Sequence, residues 1–310
     1  MIPGPRPTVS GTTNQRSTIS NGVKSLIITG DDFGLSRPVN EAIEVAHRQG
    51  YLTSASLMMG AEATADAVER TRRLTTLKIG LHLVLADGSS TLPSHRIPDL
   101  VNRAGEFSPH LVRAGCNFFF RPRVRNQLEA EILAQFEAFR KTGVPLDHVN
   151  THHHMHLHPT VSFLVLKVGR DYGLRAMRLP YEPSLPSWRA SRNGFLRRTG
   201  ACLLLSPWVS LLRKRLRHAR VYSNDFVFGM NDSGRLCPGL MLRFLKFLPP
   251  GVGEIYFHPG DNAGDLEALT HPAVREALLA SQIQTISFSD LAKLAERDAE
   301  GFNRLGGGQG

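Results

Sequence analysis

Short apolar runs alternate with longer stretches of helical periodicity along most of the chain. The apolar runs predict strands at 26–29, 53–58, 79–85, 148–150, 174–179, 255–257 and 285–288. The periodic stretches predict helices at 39–49, 61–74, 126–141, 159–172, 239–247 and 271–280. Strand–helix alternation implies a parallel sheet with right-handed crossovers. We therefore expect an α/β fold, an irregular (β/α) barrel of about seven mostly parallel strands, with its active site at the C-terminal mouth of the strands.

Length and composition fit one large domain. The chain has 310 residues, 41% of them hydrophobic, and can bury a substantial core. We expect a single barrel domain at 23–298, with an insertion at about 188–220, between a disordered leader (1–22) and a disordered tail (299–310). Three scattered cysteines suggest a reducing, cytoplasmic compartment. No apolar run reaches the roughly 18–20 residues of a membrane span.

Polar residues lie at the ends of several predicted strands. Asp31 and Asp32 follow the first strand, His82 lies near the end of the third, His152 follows the fourth, and His258 follows run 255–257. A bare ionisable group would be costly at such positions. One carboxylate and two imidazoles leave coordination positions open for water, as in catalytic metal sites. The second carboxylate is then free to act as a base, and a more distant histidine can supply a proton.

Six histidines lie within eleven residues, at positions 148, 152, 153, 154, 156 and 158. Composition alone leaves an adventitious metal binder or a solvated loop as alternatives to a functional site. The polar strand ends elsewhere in the chain favour a metal centre, because they would converge with this segment at one mouth.

The segment 188–220 concentrates positive charge. It carries nine basic residues and no acidic one: Arg189, Arg192, Arg197, Arg198, Arg213, Lys214, Arg215, Arg217 and Arg220. Without these nine, the 37 basic residues fall to 28, against 27 acidic ones. The apolar centre at 201–212 suits a helix on an anionic membrane surface or one that grips an amphiphilic ligand. A basic-flanked helix packed on the body of the fold is an equal alternative, whereas nucleic-acid binding is disfavoured.

Four motifs in order give the chain a family resemblance. They are TGDDFGLS at 29–36, IGLHL at 79–83, HVNTHHHMH at 148–156 and EIYFHPG at 254–260. With these motifs the chain resembles the YdjC-like carbohydrate deacetylases, which include chitooligosaccharide deacetylases, over about residues 24–294. The insertion and the turn at 179–183 resemble the hopanoid-biosynthesis-associated branch of that family.

The resemblance implies one divalent metal ion, Mg²⁺ or Zn²⁺, bound by Asp32, His82 and His152. It also implies that Asp31 is the general base. A histidine before a proline is more often a structural turn, but the strand-end position and the resemblance together predict that His258 is the general acid.

Substrate contacts are expected from Arg178, His154 and Arg175. The two arginines have alternative roles as structural ion-pair partners, and one of them could instead orient the general base. The chain departs from the family pattern at Gly30, where alanine is usual, and at Asn150, where many members carry aspartate. The second departure removes an extra carboxylate from the predicted site.

The resemblance thus predicts a hydrolase acting on a linear amide bond, which removes the N-acetyl group from an N-acetylglucosamine-type amino sugar on a hopanoid glycolipid. The expected partners are that substrate and, through 188–220, the inner membrane surface; a homodimer stays open. The alternatives are a chitooligosaccharide deacetylase, another metal-dependent barrel hydrolase acting on phosphoesters or amides, and a non-catalytic lipid-binding protein. The triplet at 32–34 also occurs in protein kinases, but their other motifs are missing from the sequence.

Overall fold

The computed structural model describes residues 24–294, and a parallel sheet surrounded by helices dominates it. Its elements in chain order are β1 (Lys24–Phe33), α1 (Arg37–Arg48), β2 (Ser54–Leu57), α2 (Thr64–Thr71), β3 (Lys78–Leu83), β4 (Gly88–Ser89), β5 (Glu106–Phe107), α3 (Leu111–Phe120), α4 (Pro122–Lys141), β6 (Val149–Thr151), α5 (Pro159–Gly169), α6 (Ser184–Ser191), α7 (Phe195–Ala219), β7 (Phe226–Phe228), α8 (Pro238–Lys246), β8 (Gly251–Phe257), α9 (Ala263–Thr270), α10 (Pro272–Ala280) and β9 (Ile283–Ile286). Two short 3₁₀ helices, His152–Leu157 and Arg170–Tyr172, flank α5. The predicted leader (1–22) and the predicted tail (299–310) both lie outside the described residues.

Seven strands form one sheet in the order β6-β3-β2-β1-β8-β7, with β9 paired to the first half of β1. Every strand pair in this sheet is parallel. The extended segment 174–181 connects the two ends of the sheet through backbone hydrogen bonds, from Val149 N to Ala176 O (3.0 Å), from Met177 N to Tyr222 O (2.9 Å) and from Val227 N to Tyr181 O (2.8 Å). The sheet therefore curls into a barrel-like form, and the predicted fold class is confirmed.

Two details of the strand prediction were wrong. The segment 174–179 is not a regular strand, because it pairs with its neighbours only through isolated bridges at Ala176 and Met177. The strand β7 was not predicted, since its three residues are too few to show an alternating pattern. Both segments lie where the sheet closes, and tertiary hydrogen bonds rather than local pattern decide their conformation there.

The central strand β1 is buried on both faces. Nine of its ten residues are buried, which is expected of a parallel strand with helices on one face and other strand side chains on the other. Its apolar part packs into the main core with Ile43 of α1. Asp31 and Asp32 at its end are equally buried, so both carboxylates need partners inside the protein.

Several helices that cover the sheet begin with an N-capping side chain or with a proline in the first turn. Ser36 caps α1 by accepting a hydrogen bond from the backbone N of Val39 (3.4 Å), and a proline stands in the first turn of α1, α4, α5, α8 and α10. His158 and His271 cap α5 and α10 in the same way, each through Nδ1. Capping accounts for these two histidines without a metal.

Most of the segment 188–220 forms the helix α7, which packs against the body along one face. Val209, Leu212 and Leu216 on that face are buried. Arg198 is buried with them, where its guanidinium donates to both carboxylate oxygens of Asp232 (2.7 Å each). The alternative of a helix packed on the fold is therefore correct for this face. No helix within residues 24–294 has the length and apolar character needed to cross a membrane.

Candidate metal centre and active-site cleft

The strand β1 ends in a bulge that turns two consecutive carboxylates towards the barrel interior. Gly30 pairs with Ala55 and Phe33 pairs with Leu57, so β1 has one more residue than β2 between these pairs. Asp32 adopts a left-handed conformation, with φ 62°. In a regular strand, successive side chains point to opposite faces. The bulge removes that alternation, and both aspartates find polar partners on neighbouring strands.

Three predicted ligands converge at this strand end. Asp32 Oδ1 lies 3.0 Å from His82 Nε2 and 3.1 Å from His152 Nδ1, and the two nitrogens are 3.4 Å apart. One ligand atom from each of the three residues falls within 4.8 Å of the others. β1, β3 and the residue after β6 supply them, as expected when parallel strands end at one mouth.

The hydrogen bonds around His82 indicate which nitrogen is free for a cation. Asn150 donates through Nδ2 to Asp31 Oδ1 (3.0 Å), so its Oδ1 must accept from His82 Nδ1 (2.7 Å). A neutral His82 then directs the lone pair of Nε2 at Asp32. Two lone pairs that face each other at 3.0 Å need a proton or a cation between them.

The electrostatics of the three candidate ligands also suit a cation. Burial alone would lower the pKa of His82, but the hydrogen bond to Asp32 and the charge of Asp31 outweigh burial and raise it. Burial alone would raise the pKa of Asp32, yet its hydrogen bonds to His152 and His82 hold it well below its usual value. The site therefore attracts positive charge, and one carboxylate with two imidazoles fits a divalent ion, Mg²⁺ or Zn²⁺.

Asp31 belongs to a buried ion-pair network, which Asn150 links to His82. Arg178 donates through Nη1 to Asp31 Oδ2 (2.6 Å) and through Nη2 to Asp31 Oδ1 (3.0 Å), and it also forms an ion pair with Glu254 (2.7 Å). Burial would raise the pKa of Asp31, but the positive charge of Arg178 outweighs it and holds the pKa below its usual value. The carboxylate is thus charged at neutral pH and fixed in orientation.

The hydrogen bonds of Asp31 are divided unequally between its two oxygens. Oδ1 accepts from Ser56 Oγ (2.8 Å), Asn150 Nδ2 and Arg178 Nη2. Within the described residues, Oδ2 accepts only from Arg178 Nη1. A carboxylate oxygen has about two lone-pair positions, so Oδ2 is the oxygen that can take a further proton.

His258 follows β8 and lies near the three candidate ligands. Its Nε2 is 3.9 Å from Asp32 Oδ2, and its backbone N donates to Asp265 Oδ2 (2.8 Å). The ring is partly exposed and lines the same cleft as Asp32 and His152. A histidine in this position can exchange a proton with a molecule bound in the cleft.

The three predicted substrate-binding residues lie outside the cleft lining. Arg178 is fully buried in its ion pairs, so its contacts favour the alternative in which it orients Asp31. His154 Nε2 lies 3.1 Å from the hydroxyl of Tyr256, and Arg175 is exposed elsewhere. Sugar contacts by these residues stay predictions.

The other clustered histidines have separate environments. His156 is buried between Thr151 Oγ1 (2.6 Å) and the carbonyl oxygen of Arg178 (3.0 Å), and burial lowers its pKa to about 3. His148 lies 2.9 Å from Asp147 Oδ2. His153 points into the cleft. Among the described residues, only His152 of this histidine run joins Asp32 and His82 in one group.

The cleft above the candidate centre has a volume of ≈570 Å³, enough for a sugar unit and its substituents. Its wall combines acidic, amide and apolar side chains, including Met58, Glu62, Val84, Asp261 and Asn262. Sequence reasoning missed the supporting residues Ser56 and Glu254. Glu254 had a detectable signal, since it is a charged residue inside an apolar strand, whereas nothing in the sequence distinguishes Ser56.

Comparisons with known proteins agree with this architecture. A family model described as YdjC-like protein matches residues 25–280. A carbohydrate deacetylase of Brevibacillus brevis is 39% identical over 150 residues, and one of Vibrio vulnificus is 37% identical over 147 residues. Each alignment covers 47% of this chain and 56% of the relative, so the chain spans about half the length of the curated relatives it matches.

A solved structure extends the likeness to most of the fold. The crystal structure of a candidate cellobiose-phosphate cleavage protein from Enterococcus faecalis V583 is similar with a TM-score of 0.66 and 25% sequence identity. The similarity covers 87% of this chain and 99% of that chain. The barrel-like sheet is therefore shared over nearly the whole of that protein.

Proposed function

The chain belongs to the YdjC-like protein family, and from this premise we propose that it is a metal-dependent carbohydrate deacetylase. Its substrate would be an N-acetylglucosamine-type amino sugar, and its products acetate and the free amine. The observation that carries the proposal is the convergence of Asp32, His82 and His152 at the cleft, beside the charged carboxylate of Asp31. The names of the relatives support the same activity.

The proposed chemistry divides between a bound ion and the protein's own groups. When bound by Asp32, His82 and His152, a divalent cation supplies Lewis acidity that polarises a carbonyl and lowers the pKa of water. Asp31 accepts the proton of the attacking water at Oδ2, the oxygen with a free lone-pair position. Arg178 keeps this carboxylate charged and correctly oriented.

The departing nitrogen needs a proton, because the unprotonated leaving group, an RNH⁻ anion, is too basic to leave. His258 is the group at the cleft that can supply it, through Nε2. Formation of the carbon–oxygen bond and cleavage of the carbon–nitrogen bond then give acetate and a neutral amine. Both product classes differ from those of a phosphoesterase on the same barrel, which would release phosphate.

Acetate release tests the proposal directly. The purified chain would be incubated with N-acetylglucosamine, chitooligosaccharides and N-acetylglucosamine-bearing glycolipids, with a chelator and after return of Mg²⁺ or Zn²⁺. We expect metal-dependent release of equal amounts of acetate and free amine. Metal-dependent release of phosphate instead, or no acetate from any of these substrates, would reject the deacetylase function.

The helix α7 supports a finer proposal, in which the sugar is the headgroup of a glycolipid such as a hopanoid conjugate. Leu196, Leu203, Leu204 and Trp208 are 83%, 68%, 74% and 43% exposed. Helical spacing puts Leu196 and Leu203 opposite the buried face of α7, and Leu204 and Trp208 to one side of it. An exposed apolar row of this kind marks an interaction surface. Its occupant in this proposal is an anionic membrane surface.

The structure also changes which cations could contact such a surface. Arg198 is buried, Arg213 lies over the ring of Tyr181, and Arg215 donates to Ser162 Oγ (2.7 Å). Lys214 and Arg217 remain exposed beyond the apolar row, as do the arginines at 189, 192, 197 and 220. Six exposed cations at about 1 kcal/mol each could support reversible attachment.

We expect the chain to co-sediment with anionic phosphatidylglycerol vesicles but not with neutral phosphatidylcholine vesicles, and less at high salt, because the attraction is screened. The variant Leu203→Ser/Leu204→Ser/Lys214→Glu/Arg217→Glu should lose most of this binding and turn over glycolipid more slowly, while retaining activity on soluble sugars. Arg103→Glu, an exposed charge reversal outside α7, is the control and should bind like wild type. Unchanged vesicle binding by the fourfold variant would reject the membrane proposal.

A further inference from the structure

A second group of metal-ligating side chains lies at the rim of the cleft. Asp87, His152 and His153 each bring one ligand atom within 4.8 Å of the others. Asp87 and His153 are not part of the centre described above, and His153 Nε2 lies 2.9 Å from Asp87 Oδ2. Among residues 24–294, this is one of two such groups, and it shares His152 with the first.

The backbone brings these two side chains together from different loops. Asp87 follows β3 and His153 follows β6, and both have left-handed conformations, with φ 51° and 54°. Non-glycine residues rarely adopt this conformation, and it concentrates at functional sites. Asp87 and His153 are exposed on the cleft wall, so their pairing does not serve to satisfy buried polar atoms.

We propose that Asp87 and His153, together with the ring nitrogen of His152 that does not face Asp32, bind a second divalent cation at the rim of the cleft. When both ions are bound, His152 bridges them as an imidazolate and its ring proton is released to solvent. The donor set of two imidazoles and one carboxylate is the same as at the first site, and Zn²⁺ is the suitable probe because imidazole nitrogens bind it more readily than Mg²⁺, which prefers oxygen ligands and water. The greater exposure of this group makes its site the weaker of the two. Since both side chains line the cleft, a cation at the rim would narrow its entrance.

The number of bound Zn²⁺ ions tests the proposal without reference to activity. The untagged full chain would be titrated with Zn²⁺ by calorimetry, and its metal content measured after equilibrium dialysis. We expect two equivalents for wild type, a tight one and a weaker one. Asp87→Asn and His153→Gln should each retain only the tight equivalent, with an unchanged melting temperature because both side chains are exposed.

Three further variants make the result decisive. Asp261→Asn removes a carboxylate that lines the same cleft but belongs to neither group, and it should still bind two equivalents. His82→Ala should keep one weak equivalent, and His82→Ala/Asp87→Asn none. A single equivalent in wild type, or two equivalents in Asp87→Asn, would overturn the second site. Neither outcome depends on whether acetate is released, so this test and that of the deacetylase function fail independently.

Discussion

Alanine at any one of Asp32, His82 or His152 is expected to remove the tightly bound cation and to abolish turnover. Each residue supplies one of three ligand atoms that lie within 4.8 Å of one another. Loss of a residue that only supports a ligand typically costs on the order of 10–100-fold in metal affinity or activity, and loss of a ligand costs more. The measurements are metal content after dialysis at one added equivalent of Zn²⁺, and acetate release.

The chain has 13 histidines, so a matched control must separate specific from adventitious binding. His95→Ala removes an exposed histidine outside both ligand groups and should keep full metal content and turnover. Full metal occupancy in all three ligand variants would reject the assignment of the centre. Full occupancy in one variant alone would exclude that residue from the ligand set.

The convergence of these three candidate ligands was predictable because it depends on sheet geometry. Parallel strands end at one mouth, so a polar residue at the end of an apolar run is placed near every other such residue. His82 at the end of β3 and His152 directly after β6 satisfy this rule, although 70 positions separate them. The same rule predicted that His258, which follows β8, lies near these residues.

The orientation of the two aspartates was not predictable. The alternation of a regular strand would send Asp31 and Asp32 to opposite faces, and one extra residue in β1 decides otherwise. A left-handed aspartate carries no sequence signal comparable to a glycine. Contacts with β2 and the residue after it hold the bulge, among them the hydrogen bonds of Ser56 Oγ to Asp31 Oδ1 (2.8 Å) and of Met58 N to Phe33 O (2.8 Å).

Counting charges in the sequence also failed to predict the roles of arginines that the fold buries. The sequence shows nine cations in 188–220 as one basic patch, but Arg198 is buried in an ion pair with Asp232. In the same way, Arg178 appears as one of two similar arginines in an apolar run. Only the fold pairs it with Asp31, 147 positions away, and with Glu254, 76 positions away.

These ion pairs bear on how Asp31 could act as a base. A carboxylate with a low pKa is a weaker base than a free one, yet it is fully charged at neutral pH. Burial in a fixed geometry offsets part of that weakness, since the acceptor oxygen needs no reorganisation before proton transfer. Glu254 shares the charge of Arg178 and so limits how far it can depress the basicity of Asp31.

Asp31→Asn is therefore expected to lower kcat by about 10²–10⁴-fold, the usual cost of losing a general base, while metal content stays that of wild type. The amide cannot accept a proton at neutral pH, and Arg178 keeps its ion pair with Glu254, so the fold should persist. Because the asparagine amide does not titrate in the neutral range, raising the pH should not restore the variant, and the low pKa of Asp31 means that the wild-type carboxylate is charged throughout the same range. Acetate release across this range, with metal content measured in parallel, checks both parts. A near-normal rate would exclude Asp31 from the chemistry, and loss of the metal would mean that it supports Asp32 instead.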